Sequence, residues 1–453
     1  MIIDPALIQK YNQPVPRYTS YPTVPFWKDS IDVQEWEAAF LTRFKKHNSK
    51  GGISLYIHLP FCEAMCTYCG CNKRITTNHN VELEYLAALE TEWKLYREIM
   101  GEAPVISELH LGGGTPTFFS PENLEKLMGF LFRDSKIPDD REFSFEGHPN
   151  NTTRQHLETL YRLGFRRVSF GVQDNDPEVQ RIINRIQPVE KLKEVTDIAR
   201  EIGYTSVNYD LIYGLPLQTL TSMEKTVKQV LELKPDRIAF YSYAHVPWTS
   251  KGQRLFDEND LPSAENKLAL YQLAMQLFTE GGYTDIGMDH FALPGDDLFK
   301  AAKKGAMHRN FMGYTTQHTS VLVGLGVSSI SDVGTAFAQN NKNLQDYYAA
   351  LVKGILPVQK GYFLTEEDIA FRKYILDLGC KGHTTFKKEH LPVLKEYTFP
   401  ELRKLAEDKL ITWNEEEVQI TPLGHHFIRN ICRAFDLLQT RTAGASQMFS
   451  KAI

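Results

Sequence analysis

Long apolar runs are missing from the 453 residues, and none reaches the roughly 18 residues of a membrane-spanning helix. The opening Met1-Ile-Ile-Asp-Pro-Ala-Leu7 has no basic flank and no signal-type apolar stretch, so a cytoplasmic chain without a membrane partner is expected. An excess of one charge is missing too. With 51 basic against 56 acidic residues, neither nucleic acid nor a membrane surface is expected as the main partner. Low-complexity tracts are absent, and the only repeat is a strand–helix period. Cysteine is scarce at six, and in so long a chain without a secretion signal a disulfide framework is not expected. The length exceeds one ordinary core, which implies one large domain of roughly 300 residues or more with smaller additions.

The few cysteines are not scattered. Four fall in Cys62-Glu-Ala-Met-Cys66-Thr-Tyr-Cys69-Gly-Cys71, directly after the strand-like run Ile53–Leu59. Cys62, Cys66 and Cys69 are spaced C-x3-C-x2-C, which lets three thiolates point at one centre from one tight loop, as an iron–sulfur cluster requires. Three thiolates hold three irons of a [4Fe–4S] cube and leave the fourth open to a small molecule. Zinc is the rival metal. A structural zinc site usually takes ligands from two separated pairs, whereas Cys380 and Cys432 are single and distant.

Residues 1–35, rich in proline and tyrosine, are expected to form an extended arm. From Ile53 short apolar runs alternate with amphipathic stretches, the pattern of βα units on a parallel sheet. Strands are expected at 53–59, 105–112, 142–146, 166–171, 205–213, 236–242 and 283–288, with helical patterns such as Pro121–Phe132 and Ala264–Glu280 between them. The fold class is α/β, a partial or full (β/α) barrel over 36–361 whose reactive residues sit at the C-terminal strand ends. A doubly wound open sheet fits the same spacing. Near residue 362 the alternation stops. Helix, strand, acidic turn, strand and helix across 362–453 suggest a small, mostly helical, winged-helix-like domain. Glu401, Glu407, Asp408 and the turn Glu415-Glu-Glu417 leave it without the positive face that DNA requires, so a lid or docking role is expected.

The second strand runs into Leu111-Gly-Gly-Gly-Thr-Pro-Thr117, where consecutive glycines let the backbone approach a ligand. Glu146, Gln173 and Asp210 each stand where a strand ends. Singly each fits a loop, but together they would converge on one pocket.

Cys62-x3-Cys66-x2-Tyr68-Cys69, followed one βα unit later by Gly-Gly-Gly-Thr-Pro, resembles the radical S-adenosylmethionine (SAM) superfamily. The resemblance implies that the open iron chelates the methionine moiety of SAM and that one electron then releases a 5′-deoxyadenosyl radical. It assigns Gly113, Gly114 and Thr115 to the methionine amino group, Glu146 and Arg185 to the methionine moiety, Gln173 and Asp210 to the ribose, and Tyr68 and Ala244 to the adenine.

Within the superfamily, matched blocks along nearly the whole chain resemble the oxygen-independent coproporphyrinogen III oxidase group. They include Pro16-Arg-Tyr-Thr-Ser-Tyr-Pro-Thr23, Tyr56-Ile-His-Leu-Pro-Phe-Cys62, Asp210-Leu-Ile-Tyr-Gly-Leu-Pro216 and Gly287-Met-Asp-His-Phe291. This resemblance implies oxidative decarboxylation of two propionates of coproporphyrinogen III to vinyl groups. It further implies an arm that closes over the site, two SAM molecules with the second near Phe311 and Ile330, and a low-potential donor such as flavodoxin or ferredoxin serving a monomer. Tyr56 and Cys71 are carried over as active-site residues, Cys71 outside the cluster. A substrate with four carboxylates calls for cations such as Arg17, Lys73, His58, His290 and Arg309. Two departures stand out. Gly147-His-Pro-Asn150 replaces a run ending in Asp-Pro-Arg, and Met312 replaces a frequent glutamine, which keeps open a different tetrapyrrole as substrate. A haem-binding chaperone is the third reading, disfavoured by Cys71 and the matched arm.

Overall fold

The computed structural model describes residues 3–248 and 250–442. Residues 1–2 of the expected arm and 443–453 of the expected C-terminal segment lie outside the described residues.

Six strands occupy the centre of a twelve-stranded sheet: β1 (Ile53–Leu59), β2 (Ile106–Gly113), β3 (Glu142–Gly147), β4 (Arg167–Gln173), β5 (Ser206–Tyr213) and β6 (Arg237–Ser242). They lie side by side in chain order and run parallel. Period-two alternation gives the sheet two unlike faces. Leu55, Ile57, Leu109, Leu111, Phe143, Phe145, Val168 and Phe170 share the main core with the intervening helices. The helix Pro121–Phe132 illustrates why these form. Ser120 caps it by accepting from the Asn123 amide, proline opens it, and Leu124, Leu127, Met128 and Leu131 make the buried stripe. The opposite face is polar. It carries Ser54, Tyr56 and His58 on β1, Glu108 and His110 on β2, Ser144 and Glu146 on β3, Ser169 on β4, and Asn208 and Asp210 on β5. Register sets these abreast, Tyr56 opposite His110, His110 opposite Ser144, Glu146 opposite Ser169, and Ser169 opposite Asn208. A doubly wound sheet would need apolar surface on both faces, so that alternative is set aside.

The flanks depart from a plain βα repeat. The expected seventh strand, β7 (Thr284–Gly287), is displaced to the edge because β8 (His290–Ala292) turns back and pairs antiparallel with β6. On the other side β9 (Leu322–Leu325) runs parallel to β1, and β10 (Ile330–Asp332), β11 (Ala336–Asn340) and β12 (Val358–Phe363) continue as an antiparallel meander. The strand order runs from β12 at one edge to β7 at the other, and no pairing joins these two edges among the described residues. Lys28 of the N-terminal segment bridges to Gly361 and covers the β12 edge.

Glu92, on the helix Val81–Met100, ties that meander to the sheet core. It accepts from the Gly326 amide (2.8 Å), Asn340 Nδ2 (2.6 Å) and the Tyr347 hydroxyl (2.7 Å). Burial pushes its carboxyl up to about 7, the three hydrogen bonds limiting the rise. The folded chain therefore holds a proton between pH 4.5 and 7 that the unfolded chain has released, and stability declines as pH rises through that window, by roughly 3 kcal/mol from this group. Urea unfolding of wild type and Glu92→Gln at pH 5 and pH 7.5 tests this. The substitution should remove that part of the decline, and an unchanged pH slope would refute the assignment.

A second core joins the two ends of the chain. Ile8, Val15, Tyr18 and Tyr21 pack with Phe371, Tyr374, Leu402, Ile431 and Phe435. The arm is not wholly extended. Asp4 caps a seven-residue helix, Pro5–Tyr11, which has Pro5 at its first position. The C-terminal region contains the helix Glu366–Lys381 and a three-stranded antiparallel sheet of His383–Thr385, Ile411–Trp413 and Glu417–Ile420, whose first strand the sequence pattern did not separate. No helix among the described residues is long and apolar enough to cross a membrane.

Candidate active site

The cysteine loop leaves β1 at its C-terminal end and is fastened on several sides. The Arg74 amide donates to Pro60 O (2.8 Å) and the Thr76 amide to Cys62 O (2.9 Å). The Thr67 amide donates to Ile183 O (3.0 Å), and Asn184 Nδ2 donates to Met65 O (2.8 Å). The segment 182–185 thus holds the loop from outside. Within the loop Lys73 Nζ donates to Cys69 O (2.9 Å), and from the segment after β6 Gln253 Nε2 donates to Tyr68 O (2.9 Å).

A cavity of about 440 Å³ opens beside the loop. Its walls include Cys62, Cys66, Cys69, Cys71, Tyr68 and Lys73 from the loop, Gly113, Gly114 and Thr115 at and just after the end of β2, Glu146, Gln173 and Asp210 from β3, β4 and β5, and Arg185 from the segment that follows the helix Pro177–Ile182. Twelve of the sixteen expected site residues therefore meet in one place. The other four do not line it. Tyr56 lies behind the wall, its hydroxyl 3.1 Å from His58 Nδ1 and its ring stacked on His110. Ala244 is adjacent, its carbonyl accepting from the same Gln253 amide that holds Tyr68. Phe311 packs edge-on against Trp27 and Phe337, and Ile330 sits in β10 opposite Gln339.

The wall residues are built for close approach and for charge. A Cβ at Gly113 would stand 2.7 Å from the His58 ring, and one at Gly114 would stand 2.6 Å from the Pro60 carbonyl carbon, so neither position accepts a larger residue without movement. Glu146 accepts from the Gly113 amide (3.3 Å) and faces His110 Nε2 at 3.5 Å. Burial pushes its carboxyl up, but His110 and the amide outweigh it and leave the carboxyl below its ordinary value. Asp210 goes the other way. Burial and then the nearby Glu146 charge raise it to about 6, although Ser169 and Asn208 both donate to it. Arg185 donates to Gly171 O (2.6 Å) and to the Cys66 sulfur (3.6 Å).

Three observations test whether this wall suits a cluster and SAM. The hydrogen bond from Cys71 is the largest influence on Cys69 and brings its thiol down to about 6, towards the thiolate that metal ligation needs. Thr115 Oγ1 donates to the Cys62 sulfur (3.3 Å), opposing the burial that pushes that thiol up, and Arg185 and Lys73 supply positive charge beside Cys66 and Cys69. Arg185 Nε is buried with no hydrogen-bond partner, although a guanidinium at a cavity wall is suited to a ligand carboxylate. Among the described residues no three acidic, histidine or cysteine side chains gather tightly enough for a single metal ion. The residues fit a cluster with an amino-acid-bearing ligand.

Asn151 and Tyr241 line the cavity although the sequence does not single them out, and His148 and Asn150, from the departing run Gly147–Asn150, line it with them. His148 is held down to about 3, by burial and then by Arg185, so it is a neutral imidazole there. A second cavity of about 180 Å³ lies on the same polar face, between His110, Asp210, Arg237, His290 and the hairpin residue Met312. Burial brings His290 down to about 4. Of the other expected cations, Arg309 is buried against Met288 and the Tyr314 ring, and Arg17 donates to Ser242 O. Period-two reading of polar residues inside β2 to β6 is the signal that points to His110, Ser169 and Asn208.

The radical SAM superfamily matches residues 56–230. The oxygen-independent coproporphyrinogen III oxidase of Escherichia coli (strain K12) is 41% identical, covering 99% of this chain and 98% of its own. The enzyme of the same name from Helicobacter pylori (strain ATCC 700392 / 26695) is 38% identical over 100% of this chain and 99% of its own. The solved structure of coproporphyrinogen III oxidase (HemN) from Escherichia coli, described as a radical SAM enzyme, superposes with a TM-score of 0.88 at 38% identity, covering 97% of this chain and 99% of that one. With a cysteine loop, a glycine cradle and strand-end carboxylates around one cavity, and such likeness from end to end, the chain belongs to the oxygen-independent coproporphyrinogen III oxidase family of radical SAM enzymes.

Proposed function

We propose that the protein oxidatively decarboxylates two propionate side chains of coproporphyrinogen III to vinyl groups, giving protoporphyrinogen IX. The observation that carries this reading is the single cavity in which three cysteines, the glycine cradle and the carboxylates of Glu146 and Asp210 meet, in a chain this similar to enzymes of that name. When bound, the [4Fe–4S] cluster and SAM supply the radical that removes a propionate hydrogen.

The remaining roles fall to the chain's own side chains. Cys62, Cys66 and Cys69 would hold the cluster, with Arg185 and Lys73 offsetting their charge. The backbone at Gly113 and Gly114 and the Glu146 carboxylate would take the methionine ammonium, and the fork of Arg185 would take its carboxylate. Gln173 and Asp210 would bind the ribose, with Tyr68 and Ala244 at the adenine. Cys71 keeps its proton, because the hydrogen bond to Cys69 and the negative charge around it oppose ionisation. It therefore presents a neutral S–H beside the reaction centre, with Tyr56 behind it. A second SAM would bind against Phe311 and Ile330. We read the protein as a cytoplasmic monomer supplied by a low-potential donor such as flavodoxin or ferredoxin, with the segments 1–35, 36–361 and 362–453 as arm, sheet domain and C-terminal module.

Anaerobic incubation of the cluster-loaded protein with coproporphyrinogen III, SAM and a reductant tests the reading. Vinyl product and 5′-deoxyadenosine should rise together. Cleavage of SAM with the porphyrinogen left intact would favour another tetrapyrrole, a reading that draws on His148 and Asn150 in the cavity wall and on Met312 in the neighbouring cavity.

A further inference from the structure

The short helix Ile428–Arg433 belongs to the C-terminal module, yet its polar side chains reach back to the N-terminal arm. Arg429 is 6% exposed, and its guanidinium donates to the carbonyl oxygens of Val15 and, at 3.3 Å, Pro16. Asn430 Nδ2 donates to Tyr11 O (2.9 Å) and Arg433 Nη1 to Gln13 Oε1 (2.7 Å). Further along, the Tyr18 hydroxyl donates to Asp436 (3.1 Å), and the Leu437 amide donates to the Tyr21 hydroxyl (3.2 Å). One residue in the middle of this series points elsewhere. Arg17 Nη2 donates to Ser242 O (2.7 Å), at the C-terminal end of β6, and its guanidinium lies 5.2 Å over the Tyr241 ring. Tyr241 is a wall of the thiol-lined cavity.

The backbone is bent to achieve this. Tyr18, the residue after Arg17, has φ of 45°, a left-handed conformation that a bulky side chain rarely adopts and that persists only where surrounding contacts impose it. Those contacts are the Arg429 fork before it and Asp436 after it. Charge explains the purpose. Arg17 has no carboxylate partner among the described residues and is only partly buried, so it offers a positive group against Tyr241, a residue of the cavity wall. Arg429 lies close enough to Arg17 for the two charges to oppose each other, with Asp289 as the countercharge.

We propose that Arg429 is a positioning residue. By gripping two successive arm carbonyls it sets Arg17 over Tyr241, where Arg17 receives a carboxylate of the substrate. The C-terminal module thereby contributes to substrate recognition without touching substrate itself. The inference rests on the carboxylate-bearing substrate proposed above for the part played by Arg17, while the grip of Arg429 on the arm does not depend on it.

The test uses the full-length, cluster-loaded protein and two readouts. Amide hydrogen exchange over residues 14–21 should speed up in Arg429→Lys, because an ammonium cannot fork onto two carbonyls, and should stay near wild type in Arg17→Gln. In turnover, both substitutions should raise KM for the porphyrinogen by roughly tenfold with kcat little changed, and the double variant should be no worse than either single one. Unchanged exchange in Arg429→Lys, or KM effects that multiply in the double variant, would overturn the proposal. Asn430→Ala, which removes only the Tyr11 anchor, should loosen residues 11–16 by the same route and serves if the Arg429 variants do not fold. If wild type fails to turn over coproporphyrinogen III at all, the exchange experiment still decides the grip, so that failure is distinguishable from failure of the proposed function.

Discussion

Cys62→Ala should yield a folded protein that no longer retains its cluster and cleaves SAM at background rate, a loss of more than about 100-fold and so beyond what removal of an outer partner of a metal ligand typically costs. Folding should survive, because the links on either side of Cys62 are made by main chain. The Thr76 amide donates to the Cys62 carbonyl, and the Phe61–Cys62 strand pairs with Arg74–Ile75 whatever the side chain. What disappears is one thiolate of three, together with the acceptor of the Thr115 hydroxyl. Cys71→Ala is the control that gives the experiment its force. Cys71 lines the same cavity and donates to Cys69, so its loss should weaken the bias of Cys69 towards thiolate but leave iron content near wild type. Iron and sulfide analysis of the two reconstituted variants separates the cases. Equal iron loss in both would mean that the fourth cysteine fills the cluster and that no open iron remains for SAM.

The sequence made some of this visible because it depends on neighbours in the chain. C-x3-C-x2-C and the triple glycine are local signals, and β1 to β6 stand within a residue or two of where the short apolar runs placed them. The edges of the sheet were illegible for a physical reason. β8, β9 and β10 have three or four residues each, too few to establish a period, and their pairing is decided by long-range register. His290–Ala292 takes its place beside β6 only because the chain reverses after Gly287, where Asp289 adopts a left-handed φ of 60°. The union of the arm with the C-terminal module was equally hidden, since Val15 and Ile431 reveal nothing of each other in a single sequence. Within the site, Glu146, Gln173 and Asp210 were readable as strand-end residues. His110 was legible only as a polar residue alternating with Glu108 on β2, since its place between Tyr56 and Ser144 depends on the pairing of strands distant in sequence.

Glu146→Gln should weaken SAM binding by roughly 10- to 100-fold, the range for losing a hydrogen bond to a charged partner, and should do so at every pH from 5.5 to 8. The carboxyl of Glu146 is held below its ordinary value, His110 and the Gly113 amide overcoming its burial, so it is ionised throughout that range. Glutamine keeps an acceptor for the amide but has no charge for an ammonium. Asp210 should behave differently in the same cavity. Burial and the Glu146 charge raise it to about 6, so its carboxylate gains a proton as pH falls through that value. If the ionised form is what accepts the ribose hydroxyls, wild-type affinity for SAM should fall by up to about tenfold per pH unit below 6, and Asp210→Asn should bind weakly but without that slope. Glu146→Gln should also move the inflection downward, because the first carboxylate is one of the causes that hold the second one up. Equilibrium binding of SAM to the cluster-loaded variants between pH 5 and 8 measures all three. An inflection that stays put in Glu146→Gln would show that the two carboxylates do not share a field, and the single-cavity reading of the site would fail with it.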